Sequence, residues 1–545
     1  MSVPARWLLS AAHKSSGKTT LAIGLAAALR GAGQSVQTFK KGPDYIDPMW
    51  LAEASGRPCF NLDPHLMGWG EIDALVQREV RGGAQGAGQG ADVTLVEGNK
   101  GLYDGLALDG SNSNAALAHR LGLPVVLVVD ARGMTRGVAP LILGYQAFDR
   151  ELRIAGVILN RLGGSRHEAK LRAVIEHYTD VPVLGAVQQD PALEIVERHL
   201  GLVPSQEAGA ASRTVARLAD AVRRQVDLDR LLAVTAAVAE PPAVPRPETT
   251  VVRATAPQPS LPARPATPAT PATPATPAFS SAPVRIGVPM DRAFGFYYAD
   301  DLRVLQEAGA EIVAVDTLHD PLLPPRLDGL FIGGGFPETS AAEIAANASL
   351  RSALQQAIVE QRLPTYAECG GLMLLARSLR TLDGQVHPMV GAIPGDVVMH
   401  ARPVGRGYVR LRPSGAAPWS ALAEPAPAGA GGDGLPMDGC VHAHEFHYSS
   451  LENLDPAAPI AYAWQVERGH GIDGRRDGLL IHRLCASYSH LRSVGHCRWA
   501  GAFVDYVRAV RDAAPCAAVV DLPSMPMPMP MPMPRFSRAK EFLPC

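Results

Sequence analysis

Two stretches of this 545-residue chain carry residue types spaced for chemistry. In the first, Ala11-Ala12-His13-Lys14-Ser15-Ser16-Gly17-Lys18-Thr19-Thr20 follows the apolar run Trp7-Leu8-Leu9 and precedes a helical pattern from Leu21 to Leu29. Strand, tight loop and helix in that order make a phosphate-binding loop. Backbone N–H groups of Ser15, Ser16, Gly17 and Thr20 would surround ATP phosphates, Lys18 would reach the β- and γ-phosphates, and the Thr19 hydroxyl would ligate Mg²⁺. Ala12 stands where the motif has its first glycine; Gly17-Lys18-Thr19-Thr20 is intact. The second stretch is Tyr366-Ala367-Glu368-Cys369-Gly370-Gly371-Leu372-Met373, a strand, a cysteine and a glycine pair opening a helix. That elbow exposes a nucleophile at a helix N-terminus, where the dipole lowers the thiol pKa. A thiolate nucleophile needs a base, which can lie far along the chain. His490, in Ser487-Tyr488-Ser489-His490, is the best candidate, and His442, His444, His447 and His482 compete with it.

Carboxylates at strand ends beside a phosphate-binding loop can complete the octahedral Mg²⁺ shell that Thr19, phosphate oxygens and water begin. Lys40-Lys41-Gly42-Pro43-Asp44-Tyr45-Ile46-Asp47-Pro48 and Glu97-Gly98-Asn99-Lys100-Gly101-Leu102-Tyr103-Asp104-Gly105 each follow a strand-like run. Asp47 and Glu97 are placed nearest the metal, and Asp44 either at the metal or orienting substrate. An Asp beside Pro and Gly is also the ordinary cap of a turn. Lys40 and Lys41 either neutralise phosphate or a substrate carboxylate, or form a solvated basic pair.

The elements that must position these residues are α/β. From Trp7 to Val187, strand-length apolar runs (Ser35–Phe39, Val93–Val96, Pro124–Val129, Ile154–Leu159, Val183–Val187) alternate with amphipathic stretches, the pattern of a parallel sheet covered on both faces. Ligands on such sheets sit beyond the carboxyl ends of the strands. A second α/β unit has strands at Val284–Pro289, Glu311–Val315, Gly329–Ile332 and Pro364–Tyr366. Its loop Gly333-Gly334-Gly335-Phe336-Pro337-Glu338 offers backbone N–H groups to a ligand. Between the units the Pro/Ala/Thr-rich stretch, with Pro-Ala-Thr repeated from Pro265 to Pro277, cannot bury enough apolar surface to fold. The expected organisation is a first domain over 1–235, a linker over 236–283, a second domain over 284–512 and a Met-Pro tail over 513–545.

Composition excludes several classes. With 47% hydrophobic and 19% charged residues and a formal net charge of −2, the chain reads as globular and not as a nucleic-acid binder. Seven cysteines without C-x-x-C spacing indicate neither a disulfide framework nor a structural zinc site, and point to reduced cytoplasm. No apolar run of about eighteen residues suggests a membrane span, and the N-terminus lacks a secretory h-region.

Taken together, and in this order, the Ser15–Thr20, Lys41–Pro48, Glu97–Gly105, Gly333–Glu338, Glu368–Gly371, His444-Glu445-Phe446-His447-Tyr448-Ser449 and Ser487–His490 segments resemble the cobyrinic acid a,c-diamide synthase family. The resemblance covers about residues 5–205 and 284–505. It implies a P-loop, dethiobiotin-synthetase-like amidoligase domain fused to a class I, triad-type glutamine amidotransferase domain. By the same resemblance Cys369 attacks the amide of L-glutamine, His490 shuttles its proton, and N–H groups of Gly334, Gly335 and Gly370 hold the oxyanion. Ammonia then passes to the ATP site, where a carboxylate of a tetrapyrrole polycarboxylate is phosphorylated and amidated, on two acetate side chains. A homodimer is a possible assembly.

Two departures stand out. Arg492 occupies the place of the family's third triad acid, two residues past the histidine, so either another group orients His490 or the pair works as a dyad; Glu445 is a candidate substitute. Asn99-Lys100 and Ser111-Asn112-Ser113-Asn114 resemble a branch associated with sirohaem amidation. The cobyric acid branch, acting on other side chains of the macrocycle, is a near competitor. Dethiobiotin-synthetase-like enzymes and partition ATPases share the first domain but need no Cys369 elbow, and a non-enzymatic module would need neither Cys369 nor His490.

Overall fold

The computed structural model describes residues 4–82, 90–195, 197–198, 201–202, 204, 211–236, 282–421 and 438–513. Nearly all of the expected linker, and the Met-Pro tail beyond residue 513, lie outside the described residues.

The first sheet has seven strands: β1 (Ala5–Ala11), β2 (Val36–Lys41), β3 (Phe60–Leu62), β4 (Val93–Glu97), β5 (Val125–Asp130), β6 (Ile154–Leu162) and β7 (Val183–Gln188). Their order is β3-β2-β4-β1-β5-β6-β7, with every neighbouring pair parallel. Runs such as Val125-Val126-Leu127-Val128-Val129 are apolar at every position because helices cover both faces. One face packs Trp7, Leu9, Leu25 and Trp50 and extends to Phe296 and Phe336 of the second unit. The other packs Leu8, Phe39, Val96 and Leu127. Burying one such leucine is worth about 2 kcal/mol.

Strand β2 runs two residues beyond the expected Phe39. This puts Lys40 and Lys41 inside the sheet, both buried, and overturns the solvated-pair alternative. The cause is β3, a three-residue strand too short to announce itself by periodicity, which covers the edge of β2. The stretch after β2 is likewise more regular than a loop: Ile46–Ser55 is helix α2, with Asp47 in its first turn.

The second sheet has nine strands: β8 (Val284–Pro289), β9 (Ala310–Val315), β10 (Gly329–Ile332), β11 (Thr365–Glu368), β12 (Gly405–Pro413), β13 (Val441–His447), β14 (Ala461–Arg468), β15 (Arg476–Ile481) and β16 (Leu484–Ser487). The order is β9-β8-β10-β11-β16-β15-β14-β12-β13. From β9 to β16 the neighbours are parallel, and from β16 onward antiparallel. The central parallel strands end at one edge, where the chain leaves β10 into the glycine loop and leaves β11 into Cys369. Among the described residues no helix is long and apolar enough to cross a membrane.

Candidate active site

The loop between β1 and helix α1 (Lys18–Gly31) is shaped by two left-handed residues, Ser15 (φ 62°) and Gly17 (φ 84°). At Gly17 a Cβ would lie 2.3 Å from Asn160 Nδ2, so glycine is required on both steric and conformational grounds. Asn160, in β6 two residues before its end, donates to the Ser16 carbonyl at 2.9 Å and fixes the loop from its far side. Sequence reasoning missed it, since one Asn near the end of an apolar strand gives no signal. Ala12 has an ordinary negative φ and its carbonyl accepts from Tyr145, which explains why this position does without glycine.

Lys18 is buried, and its ammonium donates to the Lys100 carbonyl at 2.5 Å, tying the phosphate loop to the Glu97–Gly105 segment. Burial, aided by Lys40, lowers its pKa to about 8 against the pull of Glu97, Asp47 and Asp104. Thr19 Oγ1 donates to Glu97 at 2.6 Å and to Asp47 at 3.2 Å. The residues singled out for metal therefore converge. Lys40 Nζ sits among them, 2.5 Å from Asp47, 3.0 Å from Glu97 and 3.9 Å from Asp44. Burial alone would pull the Lys40 pKa down; Asp47 and Glu97 outweigh it and push it up.

Burial raises the Glu97 pKa, with Lys40 opposing, and its Oε2 is buried without a hydrogen-bond partner among the described residues. Among the described residues no three His, Cys, Asp or Glu side chains form a metal cage. Two carboxylates, one hydroxyl and phosphate oxygens are what Mg²⁺ ordinarily takes, so the donor set fits it. Asp44 makes the turn that leads into α2: its Oδ1 accepts from Ile46 N and Asp47 N, each at 3.0 Å. Partial burial and the adjacent Asp47 push its carboxyl pKa up.

Asn114 holds the Glu97–Gly105 segment from beneath. Its amide donates to the carbonyls of Asn99 (2.5 Å) and Gly101 (2.8 Å), and its Oδ1 accepts from Asn99 N at 3.2 Å. A Cβ at Gly98 would lie 2.8 Å from this side chain.

In the second unit Cys369 has φ 47°, a strained value for a non-glycine residue, at the turn from β11 into helix α3 (Gly370–Leu375). Its N–H donates to the Ser487 carbonyl at 2.7 Å. The following glycines permit close approach to the β10 loop: a Cβ at Gly370 would lie 2.9 Å from Gly335 N, and one at Gly371 would lie 2.2 Å from the Ile332 carbonyl. A Cβ at Gly334 would lie 2.6 Å from His490 Cε1. Gly334, Gly335 and Gly370 thus surround the elbow together with His490.

His490 is buried beside the elbow. Burial would depress its pKa, but Cys369 and Glu368 outweigh this and raise it to about 10. Three of the competing histidines are engaged elsewhere. His442 faces Asp438 at 3.2 Å, His447 bonds the Ser449 carbonyl at 2.8 Å, and His482 lies in the turn between β15 and β16. His444 stacks on His490 at 5.0 Å between centroids. Glu445 is excluded as the orienting acid, because it accepts from His470 N (2.7 Å) and Gly471 N (2.8 Å) and lies 3.7 Å from His447.

The two sites touch. The Tyr45 ring, from the segment carrying Asp44 and Asp47, stacks on Phe296 (5.4 Å) and approaches Tyr298 (4.4 Å), His444 (5.6 Å) and His490 (5.2 Å). Arg492, buried, pairs with Asp300 at 2.5 Å and donates to the Asn61 carbonyl in β3 at 2.6 Å. The Asn61 amide in turn donates to the carbonyls of Gly42 and Asp44.

Residues 11–203 match the CobQ/CobB/MinD/ParA nucleotide binding domain, and residues 285–495 match the CobB/CobQ-like glutamine amidotransferase domain. The chain is 41% identical over 496 residues to a protein of Magnetococcus marinus named cobyrinate a,c-diamide synthase, covering 91% of this chain and 95% of that one. It is 38% identical to a protein of that name from Methanosarcina acetivorans, over 92% and 95% of the two chains. A third of that name, from Syntrophotalea carbinolica, is 38% identical over 93% and 99%. Similarity of this extent, across both units and the segments that build both sites, makes the chain a member of the cobyrinate a,c-diamide synthase family.

Proposed function

We propose that the chain amidates the a- and c-acetate carboxylates of a tetrapyrrole, cobyrinate or hydrogenobyrinate, using ATP and ammonia released from L-glutamine. The observation that carries this reading is a cavity of about 510 Å³ walled by both units: Lys41, Lys100 and Asp104 from the first, Arg406, Arg468 and His444 from the second. Its four cations, Lys41, Lys100, Arg406 and Arg468, outnumber its three carboxylates, Asp63, Asp104 and Glu445, and the positive balance suits a polycarboxylate. It borders Pro43 of the acidic segment on one side and the ring stacked on His490 on the other.

In this reading Cys369 passes its proton to His490 and attacks the glutamine amide carbon. N–H groups of Gly334, Gly335 and Gly370 hold the oxyanion, and the proton leaves with ammonia. The phosphate loop, with Ser15, Ser16, Gly17, Lys18, Thr19 and Thr20, orients ATP, and Lys18 neutralises charge on the γ-phosphoryl group as it moves to the substrate carboxylate. Thr19, Asp47 and Glu97 would hold Mg²⁺, which spreads phosphate charge. Asp44 orients the reacting groups. The phosphoryl transfer releases ADP, and ammonia then displaces inorganic phosphate from the acyl phosphate to leave the amide. The sparse cysteines, of which the five described are free, suit a reducing cytoplasm.

A second reading, amidation of sirohaem, is favoured by Asn99 and Lys100, which line the cavity and belong to the stretch resembling that branch. Mass spectrometry of products from separate incubations with cobyrinic acid, hydrogenobyrinic acid and sirohaem, each with ATP, Mg²⁺ and glutamine, tests both. Diamides of the first two support the main reading, and an amide of sirohaem alone replaces it. Cys369→Ala should abolish glutamine-dependent synthesis while ammonia-dependent synthesis persists; loss of both would sink the division of labour.

A further inference from the structure

His490 lacks the acid two residues on that other triad-type amidotransferases use, and the groups around it are mostly committed. Arg492 is bound to Asp300 and to the Asn61 carbonyl. Asp477 accepts from Tyr488 N (3.1 Å), Ser489 N (3.0 Å) and Gly478 N, and so holds the backbone before His490 rather than the ring. Asp301 accepts from Ser493 N. Glu368 is different. Its Oε1 accepts from Tyr366 OH at 2.6 Å and from Leu491 N, the amide directly after His490, at 2.8 Å. Its Oε2 lies 3.5 Å from His490 Nδ1. Both residues are buried, 2% and 3% exposed, and His490 Nδ1 has no hydrogen-bond partner among the described residues.

We propose that Glu368, the residue immediately before the nucleophile, is the positioning residue that orients His490 in place of the missing downstream acid. Successive side chains on a strand point to opposite faces, and the left-handed turn at Cys369 is what lets Glu368 and Cys369 address one imidazole. Glu368 takes Nδ1–H, which directs Nε2 to the Cys369 sulfur. When the thiol proton moves to Nε2, the carboxylate balances the imidazolium until that proton departs with ammonia. The titratable groups facing the ring are Cys369 and Glu368 from the elbow, His444 from β13 and Tyr45 from the first unit, with Arg492 two residues along.

The assignment rests on the glutamine-hydrolysing reading of Cys369, so Cys369→Ala is measured alongside. Glu368→Gln keeps an oxygen for Tyr366 and Leu491 but removes the charge. Glutaminase kcat should fall on the order of 100-fold or more with KM little changed, as when a triad acid becomes an amide. The alkaline limb of kcat/KM should move to lower pH by roughly one unit or more, because burial then acts on the imidazolium without its counter-charge. Glu368→Asp should recover part of both. Wild-type turnover, or a fall in rate with an unmoved limb, would overturn the assignment. If thermal unfolding shows that the Gln variant does not fold, the Asp variant decides alone: a shifted limb supports the role and an unmoved limb overturns it. Glutaminase activity surviving in Cys369→Ala would defeat the underlying reading, and the Glu368 role with it.

Discussion

The ring of Tyr45 lies 5.2 Å from the ring of His490, so the segment that carries Asp44 and Asp47 abuts the proposed base of amide hydrolysis in the other unit. Tyr45→Ala should remove this wall and lower stability, by less than the roughly 3–5 kcal/mol of a fully buried aromatic because Tyr45 is partly buried. It should also let ammonia escape, raising the ratio of glutamate formed to amide formed. Tyr45→Phe keeps the ring and should keep the ratio near that of the wild type. Equal ratios in all three proteins, measured under saturating ATP, would remove Tyr45 from the ammonia route.

Lys18 is the cation at the head of α1, held over the Lys100 carbonyl. Lys18→Ala should cut amide formation by about 100-fold or more with either glutamine or ammonia, since a donor aimed at developing phosphoryl charge is lost. Glutamine hydrolysis should largely survive. Synthesis near the wild-type rate with ammonia would mean that phosphoryl transfer happens elsewhere.

Asp47 and Glu97 share the Thr19 hydroxyl, whereas Asp44 makes the turn that leads into α2. Asp47→Asn and Glu97→Gln should each raise the Mg²⁺ concentration needed for half-maximal synthesis, and added Mg²⁺ should restore part of the activity. Asp44→Asn should leave that concentration near its wild-type value, with turnover reduced and monoamide accumulating. Titrations with mono- and diamide resolved by mass spectrometry distinguish the two; identical Mg²⁺ responses would collapse the distinction.

Burial lowers the Lys41 pKa to about 8, with Lys100 and Lys40 adding to the fall and Asp63 opposing it. The folded pKa is below the unfolded value, so the unfolded chain binds more protons between the two. This group's contribution to stability therefore rises with pH from about 8 toward about 10.5, as the buried ammonium becomes neutral. Binding of a polycarboxylate runs the other way and should weaken as pH passes about 8, because the cavity loses a cation. Lys41→Met should bind the tetrapyrrole more weakly at pH 7 and show a flatter pH response. A wild-type affinity independent of pH from 7 to 9 would exclude Lys41 from recognition.

Both strand-to-helix switches are legible in the amino-acid sequence. Gly17-Lys18-Thr19 and Cys369-Gly370-Gly371 each sit at a strand-to-helix switch, and that switch is written locally as an apolar run, small residues and a helical pattern. What stayed hidden depended on partners far along the chain. Whether Lys40 and Lys41 neutralise a ligand or form a solvated pair is decided only when β3 closes over β2, and β3 is only three residues long. Asn160 and Asn114 hold loops that lie more than a hundred and about fifteen positions away, respectively, through side-chain amides that no periodicity marks. Glu445 is a candidate acid by sequence, but the turn at His470 and Gly471 occupies it.

Arg492 also limits how such proteins can be recombined. Its guanidinium clamps Asp300 within its own unit and Asn61 in the other, and Asn61 holds the carbonyls of Gly42 and Asp44. An amidotransferase half transplanted from an enzyme with an acid at this position would bring a buried carboxylate against Asp300. Breaking one side of a buried pair costs about 3–5 kcal/mol, and the acidic segment of the ligase would lose its anchor as well. The two halves are therefore matched parts, and chimaeras should work only when residue 492 and its seat at Asn61 travel together.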